Sequence, residues 1–178
     1  KALGYRALAI TDECSMAGGV RAHVAAKQAG LYLVLGAQFL VQDRHGDEAP
    51  FTLVLLACNL HGYGNLCAFI TQLRRASEKG TYRLTLDDMA GSDLRDCLAL
   101  LCPERSASAA QLEAMGRWAL AQFTGRCWIG VEQVRQLDDE LWLHRMRELS
   151  ALTALPLVAV GDVHMHVRSR KPLQDVLT

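Results

Sequence analysis

Two short strings hold most of the side chains that could do chemistry. Gly161-Asp162-Val163-His164-Met165-His166 follows an apolar run, Leu157 to Val160, that reads as a short buried strand. In extended backbone, residues two apart point to the same side, so Asp162, His164 and His166 can face one cavity. A carboxylate beside imidazoles suits zinc, manganese or iron. Polar groups that simply satisfy one another at a strand end are the plainer account of the same string. Thr11-Asp12-Glu13 closes a second strand signal, Ala7 to Ile10. Carboxylates around a cavity attract a divalent cation. Asp12 could equally cap a helix beginning near Ser15. The residues alone leave both alternatives open.

Other candidates are weaker. Gly62-Tyr63-Gly64 opens like a phosphate-binding Gly-x-Gly-x-x-Gly, but Cys67 occupies the last position, and a helix entry explains it better. His23 and His144 fall within helical patterns, and His45 sits in the polar turn 42–48. The six cysteines, at 14, 58, 67, 97, 102 and 127, contain no C-x-x-C pair and mostly lie in apolar runs. They read as small buried hydrophobes of a reducing compartment, with no adjacent His to suggest a thiolate nucleophile.

The elements that must position these groups alternate along the chain. Strand signals cover Ala7 to Ile10, Leu31 to Val41 with an interruption at Gly36, Phe51 to Ala57, Cys97 to Leu101, Trp128 to Glu132 and Leu157 to Val160. Helical patterns run from about Ser15 to the stop at Gly30, Gly62 to Ala76, Ser108 to Phe123 and Asp138 to Ala154. The stretch 78–96 reads as a loop with one short helix. Six strands with helices between most of them predict a parallel α/β sheet or barrel, with a doubly wound sheet as competitor. Asp12, Gln38, Asn59, Glu132, and Asp162 with His164 fall at strand C-termini, where such folds build sites. Lys1 to Gly4 reads as a last helical turn and Pro172 as the first turn of another helix. The chain is therefore expected to lack a first β/α unit, giving seven strands in all and an open seam of apolar strand surface.

Composition sets outer limits. With 178 residues and 51% apolar content, the chain suits one buried domain over 1–178 and argues against disorder. Nineteen basic residues balance nineteen acidic ones, so contact with nucleic acid would need a local basic patch. The only basic clusters, Arg74-Arg75 and Arg168 with Arg170 and Lys171, read as solvated faces. No run is long enough to span a membrane and no signal peptide opens the chain, so the default location is cytoplasmic.

In this order, the segments resemble the N-terminal PHP (polymerase and histidinol phosphatase) domain of the bacterial C-family replicases. Ala7-Leu-Ala-Ile-Thr-Asp12 resembles that domain's second motif, Leu53 to Asn59 with Gly62 to Leu66 its third region, and Gly161-Asp-Val-His164 its fourth. Thr11-Asp-Glu-Cys14, Val20 to Ala26 and the long string His164 to Thr178 resemble the error-prone, damage-tolerant branch. The resemblance implies a distorted seven-stranded (β/α) TIM-like barrel, here without its first unit. In metal-binding members His, Asp, Glu and Cys at strand ends hold up to three ions that hydrolyse phosphoesters or support 3′–5′ proofreading. Glu13 stands where a His is usual there, Gln38 where a Glu is usual, and Thr52 where a His is expected, while Asp12, Asp162 and His164 are retained. Asp12, Glu13, Asp162 and His164 are thus expected to form a vestigial site for at most one weakly held divalent ion, manganese, zinc or magnesium.

The expected role is a structural and interaction module of an error-prone, translesion and repair-associated DNA polymerase, a nucleotidyltransferase acting in replication and DNA-damage tolerance. Its partners would be the remainder of the polymerase chain, template–primer DNA through the parent protein, and other damage-response or replication proteins. No residue here is expected to be catalytic. The alternative is a metal-dependent phosphoesterase or proofreading exonuclease domain.

Overall fold

A computed structural model describes residues 3–42, 49–161, 163–165 and 167–177. Six strands form one curled sheet in sequence order: β1 (Ala7–Ile10), β2 (Tyr32–Val41), β3 (Phe51–Ala57), β4 (Cys97–Pro103), β5 (Cys127–Glu132) and β6 (Leu157–Val160). The helices are α1 (Gly19–Ala29), α2 (Leu60–Arg75), α3 (Leu86–Met89), α4 (Ala109–Gln122), α5 (Asp139–Thr153) and α6 (Lys171–Leu177), the last preceded by a 3-10 turn at Arg168–Arg170. Every strand expected from hydrophobic patterning is present, and α3 is the short helix expected within 78–96.

Three features differ from the expectation. First, the sheet is mixed. β1 runs parallel to β2, and β4, β5 and β6 run parallel to one another, but β3 is antiparallel to both neighbours. The connection 42–50 between β2 and β3 is too short to carry a crossover, which takes about a dozen residues or more, so the chain must turn back on itself. Second, Gly36 does not interrupt β2. It is where pairing with β3 begins: Tyr32–Leu35 pair with β1 and Gly36–Val41 with β3, while Gln38 also bridges Glu13 beyond β1. A Cβ at Gly36 would overlap the Leu55 carbonyl oxygen, so only glycine lets the two backbones pass at this point. Third, α1 begins at Gly19 rather than at Ser15, whose hydroxyl instead accepts the Ala17 amide at 3.2 Å.

Alternation along the strands divides the sheet into two faces. Phe39, Leu53, Leu55, Leu101 and Ile129 are fully buried on the face that α2, α4 and α5 cover, where they meet Leu66, Phe69, Phe123 and Met146. The intervening residues Gln38, Thr52, Val54, Leu100, Cys102, Trp128 and Glu132 lie on the other face and are only half-buried. Helix ends are well specified. Asn59 accepts the Gly62 amide at 2.9 Å, Ser108 and Gln111 close a capping box, and Gly30 ends α1 in the left-handed conformation. β1 is largely exposed, with Leu8 at 53% and Tyr32 on its neighbour at 80%. Among the described residues no helix is long and apolar enough to cross a membrane.

Candidate functional site

Strand direction decides which polar residues can meet. Since β1, β2, β4, β5 and β6 all run the same way, the segment after Ile10, the second half of β2, Glu132 and Gly161 lie along one edge of the sheet. Reversed β3 brings its start to that edge, so Thr52 lies between Leu40 and Cys102 there. Its end is carried to the far edge, and Asn59 goes with it. The expected grouping of Asn59 with the other strand-end residues is therefore wrong. Asn59 is the N-cap of α2 and also donates to Asp96 at 3.2 Å. Gly62 is packed against the Asp96 backbone inside α2, in accord with a helix entry rather than a phosphate cradle.

Asp12 and Glu13 reach the site edge together but point apart, as successive residues of extended backbone do. The Glu13 segment extends the β1–β2 ladder, with Gln38 N–H donating to the Asp12 carbonyl at 3.3 Å and Cys14 N–H to the Gln38 carbonyl at 2.9 Å. The Asp12 carboxylate rests against Gly18, the residue before α1, so closely that a Cβ there would stand 2.9 Å from Oδ2. No side-chain hydrogen bond caps α1, so Asp12 is not the cap of this helix.

Glu13 is held elsewhere. The Tyr82 hydroxyl donates to Glu13 Oε1 at 2.7 Å and accepts the Leu40 amide at 2.8 Å. Burial, then the bond to Glu13, pushes the Tyr82 phenol well above its ordinary range, so it stays a proton donor. Arg74 lies over the Tyr82 ring at 5.3 Å and donates to the carbonyls of Glu13, Cys14 and Gly80 at 3.4, 3.2 and 3.2 Å. Arg74 is thus half-buried and fully engaged, not part of a solvated basic face. Cys14 is 1% exposed and left-handed at φ 44. Burial raises its thiol pKa while the nearby Arg74 charge opposes the rise. Glu13, Arg74, Gly80, Thr81 and Tyr82 line an open cleft of about 290 Å3.

His164 is exposed beyond β6, and Asp162 and His166 lie outside the described residues, as does His45. Among the described residues no three His, Cys, Asp or Glu side chains come together to share an ion. At the β1 end Glu13 Oε1 accepts the Tyr82 hydroxyl, while Gln38 and Thr52 offer neutral oxygens, which are weaker ligands for a divalent ion than charged ones. Sequence reasoning missed Tyr82 and took Arg74 for part of a solvated face. Neither stands in a motif, and only the tertiary fold brings them to Glu13.

A curled six-stranded sheet with helices on one face and polar strand ends along one edge is an α/β half-barrel. The chain belongs to the PHP domain family, which matches residues 1–140. Across 99% of its length it is 47% identical to the error-prone DNA polymerase of Dechloromonas aromatica, and proteins of that name from other bacteria fall between 42 and 49%. The chain spans 17% of the Dechloromonas protein, or about a sixth of its length. In fold it is similar to an amidohydrolase from Chromobacterium violaceum, with TM-score 0.68, 16% identity and coverage of 95% of this chain and 80% of that one. A candidate metal-dependent phosphoesterase from Bifidobacterium adolescentis gives TM-score 0.63 and 15% identity, over 92% of this chain and 79% of that one.

Proposed function

We propose that this chain is the PHP domain of an error-prone DNA polymerase and serves it mainly as a structural and interaction module with a degenerate metal site. The observation that carries this reading is near-half identity to such a polymerase over essentially the whole chain. The hydrogen bond from the Tyr82 hydroxyl to Glu13 Oε1 supports the degenerate site, because it turns one carboxylate oxygen toward a protein donor and away from an ion. Asp12, Asp162 and His164 are the remaining ligands, and a single divalent ion held by them would be weakly bound. If bound, such an ion would supply Lewis acidity at the site edge. The chain's own contribution is to brace the rest of the polymerase beside template–primer DNA, in the cytoplasm, during synthesis across damage.

The test is made on the protein with all of its native flanking sequence. Manganese- or zinc-dependent release of nucleotides from a primer 3′ end is measured together with metal content. Little release and substoichiometric metal are expected. Robust release that His164→Ala abolishes would establish a proofreading nuclease and overturn the module reading.

A further inference from the structure

We infer that Arg74 and Tyr82 form a clamp that positions the loop after β1, 11–15, and keeps Glu13 from acting as a metal ligand. The inference deepens the proposed degenerate site, but it stands on its own geometry. The loop must leave β1, pass Gln38 and enter α1, and at Cys14 it takes a left-handed backbone that a residue with a Cβ adopts at a cost. Such a conformation persists where its surroundings over-determine it.

Here they do so from two directions. Cys14 N–H is held by the Gln38 carbonyl at 2.9 Å, and the Cys14 carbonyl accepts Nε and Nη2 of Arg74 at 3.3 and 3.2 Å. The same guanidinium reaches the Glu13 and Gly80 carbonyls, so one side chain at the end of α2 joins the rim loop to the 77–84 segment. Tyr82, stacked under Arg74, is fixed by the Leu40 amide and aims its proton at Glu13. Its ring also meets Phe39 edge-on at 6.4 Å, which ties the clamp to the buried core. Glu13 is therefore oriented by protein donors whether or not an ion is near. Arg74 and Tyr82 are positioning residues, since neither is placed to touch a reacting group.

Cys14 reports on the clamp because it is buried only while the loop is held. Iodoacetamide labelling of each cysteine is followed by peptide mass spectrometry in the parent protein and in Tyr82→Phe and Arg74→Lys, all with native flanking sequence. Removing a hydrogen bond to a charged group should raise the local opening equilibrium, and so Cys14 labelling, by about tenfold. Cys97 and Cys127, buried in the core, should keep the parent rate. Manganese should slow Cys14 labelling in Tyr82→Phe, where Glu13 is released, and leave the parent unchanged. Parent-like Cys14 labelling in both variants would overturn the clamp, as would an equal rise at Cys97 and Cys127, which marks global loosening. Manganese protection of Cys14 in the parent that Glu13→Gln removes would overturn the commitment of Glu13 to Tyr82. Because this readout involves no nucleotide release, the clamp and the degenerate-site reading can fail separately.

Discussion

Gly62 and Gly64 stand two residues apart in α2, yet alanine should act in opposite directions at them. Either change gains helix propensity of up to about 1 kcal/mol, because alanine loses less backbone freedom than glycine. At exposed Gly64 a new Cβ meets nothing within 4 Å, so the gain is kept. Stability should rise by about 0.5–1 kcal/mol and Tm by about 1–4 °C for a domain of this size. At buried Gly62 the Cβ would overlap the Asp96 carbonyl, which is backbone and cannot swing aside. That carbonyl also accepts the Cys58 amide at 2.9 Å, and the Asp96 side chain holds Asn59, so the cap of α2 shifts with it. Overpacking of about 1–3 kcal/mol and a lost hydrogen bond of about 1 kcal/mol outweigh the propensity gain, leaving a net loss of about 1–3 kcal/mol. The assay is thermal and urea denaturation followed by circular dichroism. A Gly62→Ala protein as stable as its parent, or a destabilised Gly64→Ala protein, would refute the reasoning.

Three further outcomes are expected. Asp139 links Arg105 to the start of α5; burial opposes its ionisation, but the Arg105 hydrogen bond and the Arg135 and Gln136 amides hold its carboxyl below the usual range. A depressed folded pKa means that this stability is present above the unfolded value of about 3.9 and is lost as pH falls through the folded one. Acid titrations of Asp139→Asn should lack that component below about pH 4, and an unchanged acid limb would contradict it. Cys97 and Cys127, with thiols pushed up to about 11 chiefly by burial, should react far more slowly with a thiol reagent at pH 8 than exposed Cys58, and mass spectrometry gives the order. Finally, Glu13→His with Gln38→Glu and Thr52→His should raise bound manganese above the parent level by elemental analysis, whereas no increase would mean that ligand identity at this edge does not limit binding.

Much of the scaffold was legible in residue order. Short apolar runs such as Phe51 to Ala57 and Leu157 to Val160, glycine stops such as Gly30, and helix starts such as Ser108 are local signals, and the elements they predict are present. The same strings identified Asp12, Glu13 and Gln38 as edge residues, because strand ends follow from strand bounds. Direction did not follow. Reversal of β3 depends on a connection too short for a crossover, and it moves Asn59 to the far edge while returning Thr52 to the site edge. It also sets α2 running back toward that edge, and its 16 residues, about 24 Å of helix, deliver Arg74 to the Cys14 carbonyl. Chemistry at Glu13 was likewise invisible, because Tyr82 is 69 residues away in a segment without periodic pattern. Residue types and spacing determined which donors stand at the strand ends. Only the tertiary structure decided which of them are already taken, because hydrogen bonding between distant segments leaves no period in the sequence.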